Sequence, residues 1–199
     1  MSDVPHQLNY KMSRTAYFFH RALDCTIRGV MGPVGSGKTS MMPMDGMNLA
    51  SMIPPDHKNV RHMRSVYTRN TQAELMTTTK ETWKYWLGPS RFEGCFHERL
   101  SPPYSMGLSI PPGRNPYDLD KCGLEWEIIL LPMDSPDDVK KVLSLNITNF
   151  FANEARELEY PVIQELIGRC GRYPEYVNFE ELPPAITGGV LDTNPPDDH

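Results

Sequence analysis

The chain has 199 residues, a formal net charge of -5, 39% hydrophobic and 23% charged residues. This length allows one sizeable core, so we expect a single domain over 1–199. The mild negative charge argues against a globally basic protein that coats nucleic acid. The sequence contains neither an apolar leader nor eighteen consecutive apolar residues, so we expect a soluble cytoplasmic protein with free cysteine thiols.

The chain begins with segments that predict a helix and then a strand. Residues 1–12 are polar and mixed, which indicates a loosely ordered lead-in. Ser13 through Leu23 favour a short helix, and we expect its residues Tyr17, Phe18 and Phe19 in the core. The run 25–31 is β-favouring and bounded by glycine, as expected of a strand that leads into a phosphate-binding loop.

The segment after this strand fits the pattern of glycine, four free positions and Gly-Lys-Ser/Thr. Its residues are Gly32, Pro33, Val34, Gly35, Ser36, Gly37, Lys38 and Thr39, followed by Ser40 in the next helix. The glycines allow backbone N–H groups to surround an anion at a helix N-terminus. Lys38 would reach the β- and γ-phosphates of ATP, and the Thr39 hydroxyl would bind Mg²⁺. The alternative is a glycine-rich surface turn followed by a solvated lysine.

The next elements are a helix, a basic segment, a strand and a second helix. Because Pro43 and Gly46 interrupt the first helix, it is predicted to be short or kinked. The basic segment 57–64 favours a loop, either a solvated turn or a DNA-backbone contact. A strand is predicted for 63–69, and a helix for 71–87 with Thr71 as its N-cap and a tryptophan stripe facing the core.

Residues 88–123 are rich in proline and glycine and show no sustained period, which predicts a long, loop-rich surface excursion. A strand is predicted for 124–131. Residues 135–138 then have the pattern of a helix start, with a serine cap, proline at the first position and two carboxylates in the first turn.

Two polar strand ends complete the candidate site. The apolar run 147–152 ends in Asn153 and Glu154, where Glu154 would polarise an attacking water and Asn153 would contact Mg²⁺ through its amide oxygen. The alternative is a polar strand end that caps the following helix. A second strand over 185–194 ends at Asn194, which could hydrogen-bond the γ-phosphate or the water, or could be a turn residue before proline.

Six blocks, in this order, resemble the ATPase part of the large subunit of tailed-phage DNA-packaging terminases. The blocks are 28–38, 69–83, 143–145, 153–157, 168–174 and 192–196. The resemblance implies a P-loop NTPase of α/β class, with a doubly wound, mainly parallel sheet and helices on both faces. It is of the additional-strand type, in which the strand ending at Leu191 lies between the phosphate-loop strand and the Glu154 strand.

The resemblance also implies a function. The chain would be an ATP- and Mg²⁺-dependent motor that translocates double-stranded DNA into a procapsid from the cytoplasm of an infected bacterium. It would act as a homo-oligomeric ring with a portal protein and a small terminase subunit. An arginine of the neighbouring subunit commonly acts in such rings, and Arg156, Arg169 and Arg172 are candidates by position.

The chain departs from the family pattern in three respects. Pro33 and Val34 stand where many members carry an arginine, and Asn153 stands where aspartate is usual. No acidic nuclease cluster is present, so we expect no DNA cleavage by this chain. Two other functions stay open: a nucleotide-binding or assembly module with little turnover, and a small-molecule kinase, against which the lack of an arginine-rich lid argues.

Overall fold

The computed structural model describes residues 10–115, 120–134 and 138–195. Its strands are β1 Ile27–Met31, β2 Val60–Arg69, β3 Phe96–Arg99, β4 Ser105–Ile110, β5 Gly123–Pro132, β6 Asn149–Ala152 and β7 Gly189–Thr193. They form one sheet in the order β1-β7-β6-β2-β5-β4-β3. The first five strands of this order pair in parallel, and β4 and β3 extend the sheet as an antiparallel hairpin. As expected, β7 lies between the phosphate-loop strand and the Glu154 strand.

Helices cover both faces of the sheet. They are α1 Arg14–Arg21, α2 Lys38–Ala50, α3 Gln72–Glu74, α4 Lys80–Leu87, α5 Val139–Val142 and α6 Tyr160–Arg169. A π-helical turn, Leu75–Thr79, joins α3 to α4. Because successive strand side chains point to opposite faces, Phe151 packs in the cluster of α1, α2 and α4, whereas Phe150 packs with α5 and α6. The predicted doubly wound, mainly parallel sheet is confirmed.

Helix α2 is longer than the sequence predicts, because it continues through Pro43 and Gly46 for 13 residues. Both residues are buried, as are Met42 and Leu49 on the same helix. A Cβ at Gly46 would overlap Cη2 of Trp126, so the glycine allows α2 to approach β5 closely. Burial against the sheet thus offsets the local cost of these residues, about 3 kcal/mol for a proline inside a helix.

Two segments predicted as loops contain strands. Val60–Arg64, in the basic segment 57–64, belongs to β2, which pairs with β5 over its whole length. The predicted excursion 88–123 contains β3 and β4, and β4 pairs with β5 from Ser105 to Ile110. In both cases a long-range partner strand supplies the hydrogen bonds that local sequence patterns do not reveal.

The remaining local predictions have mixed outcomes. The α1 helix forms with the Ser13 hydroxyl as its N-cap, but only Phe19 of its aromatic residues is buried, while Tyr17 and Phe18 are exposed. The Thr71 cap is confirmed. Residues 1–9 of the predicted lead-in and residues 135–137 of the predicted helix start lie outside the described residues. No described helix has the length and apolar character needed to cross a bilayer.

Candidate active site

The segment 32–37 forms the turn between β1 and α2. Gly35 and Gly37 have φ values of 80° and 85°, and Gly37 is the N-cap of α2. A Cβ at either position would meet no atom within 4 Å, so it is the left-handed backbone, and not lack of space, that favours glycine here. The loop is exposed from Pro33 to Gly37. The N-terminus of α2 therefore follows an exposed loop, and because the first N–H groups of any helix have no partner within the helix, this end can accept an anion.

The Lys38 side chain curls back over this loop. Its Nζ donates to the carbonyl oxygens of Gly32 and Pro33, at 2.5 and 3.1 Å, and to Asn194 Oδ1 at 3.0 Å. Lys38 is buried, with 6% of its surface exposed. The bond to Asn194 joins the loop 32–37 and the start of α2 to the carboxyl end of β7, 156 residues later in the chain.

A buried ion pair fixes the two elements that flank the loop. On β1, Arg28 donates to both carboxylate oxygens of Asp45 on α2, at 3.0 and 2.6 Å, and both side chains are almost fully buried. His20 of α1 contacts the same carboxylate at 2.9 Å. Because bidentate arginine–carboxylate pairs are geometrically specific, this contact orients α2, and hence Lys38, relative to the sheet.

Glu154 follows β6 and is held by Asn194 from the neighbouring strand end. The Asn194 backbone N–H donates to Oε2 at 3.0 Å, and its Nδ2 donates to Oε1 at 2.7 Å. Glu154 has a left-handed backbone, with φ 51° and ψ 52°, and is 9% exposed. A non-glycine residue in this region is uncommon, and here the turn directs the carboxylate toward β7 and the Lys38 side of the sheet.

Asn153 is surrounded by protein groups. Its Oδ1 accepts a hydrogen bond from Thr79 Oγ1 at 3.1 Å, and its Nδ2 donates to Asp192 Oδ1 at 2.7 Å. The Glu154 backbone N–H donates to the same Asp192 oxygen at 2.8 Å. Sequence reasoning did not assign a role to Asp192 or Thr79. The signal for Asp192 was its position in β7, two residues before Asn194.

Asp192 is fully buried, and its Oδ2 atom has no hydrogen-bond partner in the part of the chain that the structure describes. Burial raises the pKa of the Asp192 carboxyl. The hydrogen bonds from Glu154 N–H and Asn153 lower it, but they do not reverse the shift, and the Glu154 charge adds to the increase.

The structure brings together Lys38, Asn153, Glu154 and Asn194 at the carboxyl edge of the sheet. Thr39 and Ser40 are half-buried in the first turn of α2, and no hydrogen bond within the described ranges joins Thr39 to Asn153. Arg156 is at the same edge, where its Nη1 donates to the Pro195 carbonyl at 3.2 Å. Arg169 and Arg172 bond through their backbones to Ile147, at the opposite end of β6.

Comparison of this architecture with solved structures finds bacteriophage large terminases. The large terminase from a thermophilic bacteriophage matches with a TM-score of 0.57 and 12% sequence identity over 88% of this chain. The Thermus phage P74-26 large terminase ATPase domain matches with a TM-score of 0.53 and 12% identity, over 96% of this chain and 68% of that domain structure. The chain has the fold of a phage large-terminase ATPase domain. This is a P-loop NTPase fold.

The likeness to solved terminases is one of three-dimensional structure at low sequence identity. No family model matches the chain, and no curated protein matches it. The chain spans about a third of the length of the first of these two terminases, 34%. At 12% identity, the similarity to these terminases shows that the backbone fold is shared. The role of each site residue is therefore argued from the contacts described above.

Proposed function

We propose that this chain is the ATP-hydrolysing motor domain of a viral DNA-packaging terminase, coupling hydrolysis to translocation of double-stranded DNA. One observation carries the proposal: the hydrogen-bonded series from Lys38 through Asn194 to Glu154. It connects the cation of a phosphate loop with an acid at the end of a separate strand. A triphosphate and an attacking water must lie between two such groups for in-line hydrolysis.

Each part of the site has a distinct task in this proposal. The backbone from Gly32 to Ser40 holds the phosphate chain at the N-terminus of α2. Lys38 binds the β- and γ-phosphates, and to do so it exchanges its present bonds to the loop carbonyls and Asn194 for phosphate oxygens. Glu154 orients the attacking water and accepts its proton. Asn194 positions the Glu154 carboxylate and so links phosphate binding to the state of the general base.

The oxygen-rich site fits Mg²⁺. Mg²⁺ prefers oxygen ligands and is commonly bound by one or two protein groups together with substrate phosphates. The Thr39 hydroxyl and the Asn153 amide oxygen are the protein groups we assign to it, and Asp192, which bonds to Asn153 through Oδ1, has a second, buried oxygen without a partner among the described residues. No group of three or more His, Cys, Asp or Glu residues suited to a metal occurs among the described residues. When bound, Mg²⁺ neutralises charge on the β- and γ-phosphates.

The assembled motor is also part of the proposal. The chain would act in a homo-oligomeric ring with a portal protein and a small terminase subunit, in the cytoplasm of an infected bacterium. Its net charge of -5 favours local, sequence-independent contacts with DNA over a uniformly basic surface. An arginine from the adjacent subunit, with Arg156, Arg169 and Arg172 as candidates, would complete each site. No nuclease activity is expected from this chain.

The decisive experiment compares phosphate release by the wild type and by Glu154→Gln. We expect Glu154→Gln to lower kcat by about 100-fold, because it removes the general base, while ATP binding persists. Glu157→Gln is the matched control, because Glu157 is exposed one turn away and changes the net charge equally. Equal rates for the wild type and Glu154→Gln would refute the catalytic assignment.

A second candidate function is a nucleotide-binding or assembly module with little turnover of its own. It is favoured by Asn153, whose amide is uncharged and already engaged by Thr79 and Asp192. Tight ATP binding without phosphate release, even after addition of portal protein and DNA, would support this function over the motor.

A further inference from the structure

Asn153 leaves the proposed site without the carboxylate that is usual at this position, and a carboxylate is present on the adjacent strand. We infer that Asp192 supplies the negative charge that Asn153 lacks, so that the acidic position of the Mg²⁺–nucleotide site has moved from β6 to β7. This inference deepens the proposed function and rests on it.

The alternation of side chains along the strands places both residues in the same layer. Phe151 on β6 and Val190 on β7 both pack in the cluster beneath α2. Asn153 and Asp192 each follow two residues later, so they point to the same face, beyond the end of the apolar core. This face is covered by α2, whose first turn contains Lys38 and Thr39. Asp192 therefore lies on the same face of the sheet as the first turn of α2, where its charge can act on the phosphates of a bound nucleotide.

The hydrogen bonds of Asp192 are divided unequally between its two oxygens. Oδ1 accepts from both Asn153 Nδ2 and Glu154 N–H, at 2.7 and 2.8 Å. Oδ2 is buried and has no partner among the described groups. A buried polar atom without a partner costs free energy, and a purely structural role could be performed by Oδ1 alone. The free oxygen is the atom that a structural role leaves unexplained.

The local charges agree with this assignment. Lys38 bonds to Asn194, two residues after Asp192, and the Glu154 backbone N–H bonds to Asp192 itself, so a cation and a second carboxylate both belong to this hydrogen-bonded group. A buried carboxylate between these groups is costly without a further cation. A divalent cation bound to the nucleotide would reduce this cost, because it would bring positive charge to Oδ2.

The hydrogen-bond pattern permits an exchange of the two residues. In the double variant Asn153→Asp/Asp192→Asn, the amide at position 192 keeps one of the two bonds that Asp192 Oδ1 accepts in the wild type: its oxygen can accept from Glu154 N–H, or its NH₂ can donate to the carboxylate at position 153. Thr79 can still donate to that carboxylate. The exchange therefore conserves total charge and side-chain volume, loses one hydrogen bond, and moves the carboxylate from β7 to the end of β6.

The test measures the affinity of a fluorescent, non-hydrolysable ATP analogue with excess Mg²⁺ and with EDTA. The variants are Asp192→Asn, the double exchange and Asp24→Asn, an exposed control with the same charge change. We expect Asp192→Asn to weaken binding about tenfold in Mg²⁺ and to leave binding in EDTA unchanged. The double exchange should restore the Mg²⁺ dependence of the wild type.

Thermal unfolding provides a second readout that needs no nucleotide. Asn153→Asp alone places two carboxylates side by side, so its unfolding temperature should fall, and adding Asp192→Asn should raise it again by removing this repulsion. The inference is overturned if Asp192→Asn retains the full Mg²⁺ dependence, or if the folded double variant does not recover it. If the wild type binds no nucleotide in either condition, the proposed function fails, and this inference fails with it. If the wild type binds the analogue and Glu154→Gln abolishes phosphate release, the proposed function stands whatever the result for Asp192. The inference and the proposed function can therefore fail separately.

Discussion

Asn194 contacts both oxygens of the Glu154 carboxylate, through its backbone N–H at 3.0 Å and its side-chain amide at 2.7 Å. The same side chain accepts a hydrogen bond from Lys38. One amide thus bridges an acid and a cation that lie on different elements of the sheet edge. Asn194 is uncharged, so its contribution to the site is to hold the Glu154 carboxylate and the Lys38 ammonium in place.

We expect Asn194→Ala to lower kcat by about 10- to 100-fold, because the Glu154 carboxylate loses the side-chain amide that holds Oε1 and keeps only the backbone N–H at Oε2. The KM for ATP should change little, since the loop backbone and Lys38 remain. Asn178→Ala is the control, because Asn178 is exposed and caps a separate 3₁₀ turn. Steady-state phosphate release measures both constants, and a change confined to KM would contradict a positioning role.

Two glycine-to-alanine changes in helices should have opposite effects on stability. Gly46→Ala in α2 would place a Cβ against the Trp126 ring, whereas a Cβ at Gly168 in α6 meets no atom within 4 Å. Alanine is favoured over glycine in a helix by about 1 kcal/mol. Gly168→Ala should therefore stabilise the fold, and Gly46→Ala should destabilise it by about 1–3 kcal/mol from overpacking. Urea unfolding distinguishes these signs, and a stabilising Gly46→Ala would show that α2 does not pack closely on β5.

The hairpin β3–β4 should show a pH-dependent contribution to stability. Glu98 of β3 lies 2.8 Å from Lys80 and 3.0 Å from Lys84 of α4. Burial raises the pKa of Glu98, but hydrogen bonds and charge from the two lysines outweigh this, so the pKa is lowered overall. The stabilisation is therefore complete above the ordinary glutamate pKa of about 4.3 and is lost as pH falls through the lower, folded-state pKa.

We accordingly expect Glu98→Gln to reduce the free energy of unfolding by about 1 kcal/mol at pH 7. The difference from the wild type should shrink progressively below pH ~4.3. Glu93→Gln, in the exposed segment before β3, should have little effect at either pH. A Glu98→Gln effect that grows on acidification would contradict the ion pairs.

The cysteines should differ sharply in reactivity. Burial raises the pKa of the Cys170 thiol to about 12, so at pH 8 it is almost entirely protonated. Cys25 is exposed. Since the thiolate is the reactive form, a thiol reagent should modify the exposed Cys25 rapidly and the half-buried Cys170 much more slowly. Cys25→Ser should remove the fast phase and Cys170→Ser should leave it unchanged; the reverse result would contradict the raised pKa of the Cys170 thiol.

The local parts of the site could be predicted from sequence because they depend on neighbouring residues. A strand, three glycines and a lysine define the loop at 32–38, and an apolar run with a polar end marks Glu154. The order of the strands, with β7 next to β1, was inferred from the resemblance and is confirmed by the sheet. The placement of Asn194 beside Glu154 follows from this order, because carboxyl ends of adjacent parallel strands meet at one edge.

Only the tertiary structure showed the length of α2, the hairpin β3–β4 and the position of Asp192. Pro43 and Gly46 read as helix breakers because propensity describes an isolated helix, whereas burial against Trp126 and the sheet decides the outcome here. Asp192 meets Asn153 and Glu154 across 39 and 38 residues of chain. Local patterns carry no information on contacts at such separations, so the sequence determined which chemical groups are present, and packing between distant strands decided which of them act together.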